Sequence, residues 1–265
     1  MSDTESNSLR SIPGDVRTLL TTTVDLLSEG LGPALAGVYL HGSLAVGDFC
    51  QGRSDVDLLA VLTQQPDEEL LVRLRVVHDT VDARFPMWRS RVEVEYVALD
   101  TLQRQATDDD LAAPGVIARV SPGEHLHLLA ATQHRVLGWS LAHRHGVTLT
   151  GPPVQTVIPA IDDEQARDSL LHHVRDWPTW VRGMTTPGGQ AYAVLSVCRA
   201  AVALDAGDQV SKKVAATIIA EAVPAHRDVV LWARDWWYQG GSDDEPPRTA
   251  AVRRFVDETS TQLLH

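Results

Sequence analysis

The chain has 265 residues, 44% of them hydrophobic and 22% charged, with a formal net charge of −12. This suits one large globular domain or two smaller ones and weighs against nonspecific binding to DNA, which relies on clustered Lys and Arg. The acidic balance suits a cationic small molecule instead. Cys50 and Cys198 lack a CxxC spacing, so the sequence indicates neither a disulfide framework nor a zinc site and fits a reducing cytoplasm. The polar start from Met1 to Arg10 reads as neither signal peptide nor anchor, and no apolar run approaches the roughly 18 residues of a membrane span. The expectation is a soluble cytoplasmic monomer.

In chain order, Val16, Leu19, Leu20, Val24 and Leu27 recur near helical spacing after Pro13-Gly14-Asp15, and Gly30 to Pro33 closes that helix. The apolar run Val38 to Leu40 reads as a buried strand ending in Gly42-Ser43. A sharp turn there lets backbone N–H groups and the Ser43 hydroxyl face a phosphate. Eleven residues of connection lead to Asp55-Val56-Asp57-Leu58-Leu59-Ala60-Val61-Leu62, a second strand. Alternation puts Asp55 and Asp57 on one face, about 7 Å apart along the chain. Two carboxylates so placed repel each other, and a hard divalent cation such as Mg²⁺, used together with substrate phosphates, offsets that cost. Strand, Gly-Ser, connection and Asp-apolar-Asp together resemble the signature of the polymerase-beta-like nucleotidyltransferase superfamily.

Gln65-Pro66-Asp67-Glu68-Glu69 then opens a helix to about Arg84. Ser90 to Leu99 alternates, with Val92, Val94, Tyr96 and Ala98 on one face and Glu93, Glu95 and Val97 on the other. If this third strand neighbours the second, its acidic face supplies a further carboxylate, as general base or metal ligand. The alternative is an exposed edge whose charges discourage aggregation. Asp108 to Asp110 reads as a solvated loop or cap, and Leu126 to His145 as a helix whose histidines lack partners at ligand spacing. The domain boundary is placed at Gly151-Pro152-Pro153. Beyond it, Asp162 to Arg182, Gln190 to Ala206, Ser211 to Val223, Ala225 to Tyr238 and Arg248 to Leu264 read as helices of a bundle, rich in tryptophan.

From about Leu20 to Val256 the chain resembles the streptomycin/spectinomycin adenylyltransferases. The resemblance rests on Leu40-His41-Gly42-Ser43, Ser54-Asp55-Val56-Asp57, Val92-Glu93-Val94, His145 to Pro152, Ala193 to Arg199, Ser211 to Ala216 and Ala233-Arg234. It implies an α+β fold: a nucleotidyltransferase domain over residues 1–152, a mixed sheet with flanking helices, then a helical bundle over residues 153–265. It further implies Mg²⁺-dependent transfer of AMP from ATP to a hydroxyl of an aminocyclitol or aminoglycoside, with two metal ions. Asp55 and Asp57 would hold Mg²⁺, and Glu93 would act as the base, with Glu95 second. Gly42, Ser43, Ser54, Arg199 and Lys212 would bind nucleotide, and Glu95 and Gln190 the acceptor. The chain reads Pro187-Gly188-Gly189-Gln190 where streptomycin-accepting members carry an acidic residue, and Pro122-Gly123-Glu124-His125 where they carry a Trp. This favours spectinomycin over streptomycin. The alternatives are a protein or tRNA acceptor, or a nucleotide-binding regulator, which a missing carboxylate would favour.

Overall fold

The computed structural model describes residues 12–107, 115–208 and 210–265. The polar start and the triplet Asp108 to Asp110 lie outside them. The chain divides into two compact units, one formed by residues 1–49 and 54–162, the other by residues 50–53 and 163–265.

The first unit is built on a six-stranded mixed sheet. Its elements are α1 (Gly14–Leu31), β1 (Leu35–His41), the single turn α2 (Gly42–Ala45), β2 (Val56–Leu62), α3 (Glu68–Arg84), β3 (Val92–Ala98), α4 (Leu99–Thr107), β4 (Val116–Val120), β5 (His127–Ala130), α5 (Gln133–His145), β6 (Val147–Thr150) and α6 (Val154–Val157). The strand order is β5-β4-β3-β2-β1-β6. Among the described residues only β2 and β3 pair in parallel, because α3 carries the chain back between them; the other pairs are antiparallel. Asp67 starts α3 by accepting a 2.8 Å hydrogen bond from the Leu70 N–H. One sheet face, with Val38, Leu40, Leu58, Ala60, Leu62, Val94 and Tyr96, packs with Val16, Leu19 and Leu27 of α1 and Leu70, Leu74 and Val77 of α3. The strand carrying Glu93 and Glu95 is therefore interior, paired on both sides, and not an edge.

One sequence expectation changes here. Leu126 to His145 is not one helix: His127–Ala130 pairs with β4, a strand the sequence reading did not find, and only Gln133–His145 is helical. Four residues are too few for periodicity to decide, and it is the pairing of Leu128 with Ala118 and Leu129 with Ile117 that makes them a strand.

The second unit contains α7 (Asp163–Trp180), α8 (Pro187–Ala206), α9 (Lys212–Ala222), α10 (Arg227–Tyr238) and α11 (Thr249–Leu263). Helix α8 packs against each of the other four. It starts on Thr186, whose hydroxyl accepts from the Gly189 N–H, and stops at Gly207, whose φ of 77° suits glycine. Its small and branched residues Ala191, Val194, Val197, Cys198 and Ala201 meet Trp177, Trp236 and Phe255 in the core. Within the same unit the Arg53 guanidinium stacks over the Trp236 ring at 3.9 Å. Among the described residues no helix is long and apolar enough to cross a membrane.

One partly buried polar contact ties α3 to the sheet: His78 Nε2 and the Tyr96 hydroxyl lie 2.7 Å apart. Desolvation lowers the His78 pKa to about 4. The folded state thus binds the proton less readily than the unfolded chain, whose His titrates near 6.5. The stability from neutral His78 is complete above about pH 6.5 and is lost as the pH falls toward 4. Urea unfolding at pH 7 and pH 5 should show the native chain losing on the order of 1–2 kcal/mol more than His78→Gln.

Candidate active site

The register of three strands gathers the polar residues. His41 lies opposite Asp57, and Asp57 lies opposite Glu93, so the three stand side by side across β1, β2 and β3. Gly42 follows His41 with φ of 66°, and a Cβ built on it would fall 1.9 Å from Asp57 Oδ2. Only a residue without a side chain lets this backbone turn lie against the carboxylate. Ser43, partly buried in the same turn, accepts a 2.9 Å hydrogen bond from the Asp48 N–H through its carbonyl.

Asp55 sits one residue before β2, with its Oδ1 3.9 Å from Arg91 Nε. Arg91 also donates to the carbonyl of buried Ser54 at 2.5 Å and stacks over Trp88 at 4.5 Å. Glu93 accepts two hydrogen bonds on Oε1, from Arg119 Nε at 3.1 Å and Nη2 at 2.9 Å. Arg119 reaches Glu124 Oε2 at 3.4 Å, and that oxygen accepts from Ser121 Oγ at 2.8 Å.

Glu95 is in a different state. It is 8% exposed and accepts 2.6 Å from Trp139 Nε1 and 3.4 Å from Arg135 Nη1, both on α5. Its carboxylate, expected at the acceptor or as second choice of base, is enclosed and hydrogen-bonded within the first unit. Between the two glutamates lies a cavity of about 80 Å³ lined by His41, Glu93, Glu95, His134, Arg135 and Trp139. Desolvation there lowers the His41 pKa, against the opposing pull of Glu93 and Glu95, so the imidazole is neutral near pH 7.

The helical unit places the remaining candidates. Lys212 Nζ lies over the rings of Tyr192 at 4.6 Å and Trp237 at 4.7 Å. Arg199 is two helical turns beyond Tyr192 on α8 and shares its face. Gln190 is 1% exposed; its Nε2 donates to Thr249 Oγ1 at 2.8 Å and to the Met184 carbonyl, and its Oε1 accepts from the Arg248 N–H at 2.7 Å. Gln190, expected at the acceptor, thus stands as a buried fastener between α8 and the start of α11.

The sequence reading assigned no role to His41, Arg91, Arg119 or Trp139. Arg119 left a signal, a lone cation within the apolar run Val116-Ile117-Ala118-Arg119-Val120. Among the described residues no three His, Cys, Asp or Glu side chains gather as a ready-made metal site. The oxygen donors of Asp55 and Asp57 nonetheless fit Mg²⁺, which is held by one or two carboxylates together with substrate phosphates. The open backbone at Gly42 leaves room beside Asp57 that a Cβ would fill.

Residues 156–262 match the family model described as aminoglycoside adenylyltransferase, C-terminal domain. That match covers less than half of the chain and lies in its C-terminal part. No curated protein sequence matches it. The fold of the whole chain is similar to the crystal structure of spectinomycin adenyltransferase AAD(9) from Enterococcus faecialis with ATP and spectinomycin, with a TM-score of 0.77. The two share 16% identity over 94% of this chain and 99% of that one, a likeness of fold.

Gly42 and Gly47 separate backbone strain from site chemistry. Both have positive φ, but a Cβ at Gly47 meets nothing within 4 Å. Each Ala substitution should cost on the order of 1 kcal/mol in a thermal melt from the left-handed backbone. Only Gly42→Ala should also weaken nucleotide binding in calorimetry, by tenfold or more, because the new methyl displaces Asp57.

Proposed function

We propose that the chain transfers AMP from ATP to a hydroxyl of an aminocyclitol or aminoglycoside, with Mg²⁺, and that spectinomycin is a better acceptor than streptomycin. The observation that carries this is the register placing the Gly42 turn, Asp57 and Glu93 on three adjacent strands. A phosphate turn, a metal-binding carboxylate and a base are the parts an in-line nucleotidyl transfer requires. The family match of the helical unit supports the same reading. So does the fold likeness to a protein whose structure was solved with ATP and spectinomycin.

In this reading Glu93 takes the proton from the attacking hydroxyl as oxygen bonds to the α-phosphorus and pyrophosphate departs. Backbone N–H groups at Gly42 and Ser43 hold phosphate oxygens. Asp55 and Asp57 would hold Mg²⁺, which supplies charge neutralisation at the phosphates and the leaving group. In the helical unit, Arg199 and Lys212 are assigned to nucleotide phosphates as charged donors. The preference for spectinomycin follows from Gly189, where no carboxylate is available to a guanidinium of streptomycin; a charge left unpaired on binding is costly.

Labelled ATP presented with a panel of aminoglycosides tests the reading. Label should pass to spectinomycin faster than to streptomycin, and the reverse order would refute the preference; label passing to no acceptor on the panel would refute the transfer itself. Asp57→Asn should slow turnover by orders of magnitude with the fold intact.

The same assay separates the two glutamates. Glu93→Gln should lower turnover roughly 100-fold or more while ATP still binds. Glu95→Gln keeps an oxygen for Trp139 and should cost much less; abolished turnover there, with Glu93→Gln spared, would exchange their roles.

A further inference from the structure

Glu93 is held from one side only. Both of its hydrogen bonds fall on Oε1 and both come from Arg119, while Oε2 takes no hydrogen bond among the described residues. Arg119 is itself fixed. It lies on β4, opposite Glu95 in the strand register, its side chain is 19% exposed, and Glu124 takes its Nη1. Glu124 is tied in turn to Ser121, just past the end of β4.

A glutamate's terminal torsion is broad, so an untethered carboxylate samples many orientations at little cost. Two donors of one planar guanidinium on a single oxygen remove that freedom, as a point-charge Lys cannot. We infer that Arg119 is a positioning residue for the proposed transfer: it anchors Glu93 by Oε1 and so leaves Oε2 as the oxygen that meets the acceptor hydroxyl. This rests on Glu93 being the base. Misplacing a reacting group by about 1 Å can cost on the order of 100-fold in rate. Arg119 acts on turnover through Glu93 and has no separate hold on ATP.

The test is a double-mutant cycle on the full chain, with kcat and KM for ATP and acceptor measured alongside melting temperature. Arg119→Ala should lower kcat on the order of 10- to 100-fold and leave KM for ATP within about twofold. Arg119→Lys should recover only part of the loss, and added guanidinium ion should restore part of the activity of Arg119→Ala. In a Glu93→Gln background, Arg119→Ala should add little further loss, because the residue it positions is gone. If Arg119→Ala melts too early to assay, Arg119→Gln carries the same comparison.

An active wild type, an inactive Glu93→Gln and an unimpaired Arg119→Ala would overturn the positioning role while leaving the base in place. Full additivity of the two losses would overturn it also, since Arg119 would then act elsewhere. A Glu93→Gln variant with wild-type turnover would remove the base itself and this role with it.

Discussion

Four carboxylates crowd one end of the sheet, and keeping them there is the constraint on which the first unit depends. Asp55 and Asp57 belong to the β2 segment, and Glu93 and Glu95 to β3 directly beside it in register. Left alone such groups repel, and partial burial raises the cost. Three are met by a different arginine each: Arg91 at Asp55, Arg119 at Glu93 and Arg135 at Glu95. The fourth, Asp57, lies against the side-chain-free turn at Gly42. Charge balance is therefore distributed over three separate elements, and the sheet must be assembled before the carboxylates can tolerate one another.

This explains why strands far from the signature matter to it. Arg119 arrives only because β4 pairs antiparallel with β3, in a register that sets it opposite Glu95. Arg135 and Trp139 arrive because α5 covers the sheet face that carries the acidic residues. An indole N–H to a carboxylate at 2.6 Å is a charge-assisted bond, stronger than a neutral one and costly to lose when the acceptor is 8% exposed. The buried Glu95 fastens α5 to the sheet and so forms one wall of the cavity next to Glu93.

Much of this was legible in the sequence, for reasons that differ by element. Helices α1 and α3 and the bundle helices repeat apolar residues long enough for periodicity to decide, and β1 to β3 alternate or run apolar between clear breaks. The neighbouring of Asp57 and Glu93 followed from alternation plus one assumption, that the second and third strands pair. Strands β4 and β5 were not legible because four or five residues carry no period, and their identity comes from each other. The surroundings of Gln190 and Glu95 were not legible for a related reason. Polarity suggested a ligand, but burial and partners supplied by distant residues, Thr249 and Arg248 for one and Trp139 and Arg135 for the other, decide what a polar side chain is for.

The two glutamates show how little in the sequence separates an enclosed carboxylate from an open one. Glu93 and Glu95 share a strand face, and each is paired with one arginine. Their environments differ in what remains. Glu95 has donors on both oxygens and is 8% exposed, so its carboxylate is the more tightly enclosed of the two. Glu93 is bonded on one oxygen, its side chain is 25% exposed, and it stands in register with Asp57. A base must be reachable, held in direction and left with a lone pair to spare. For the proposed transfer Glu93 is the better placed of the two on these counts, and it is held in direction because an arginine from another strand bonds its Oε1.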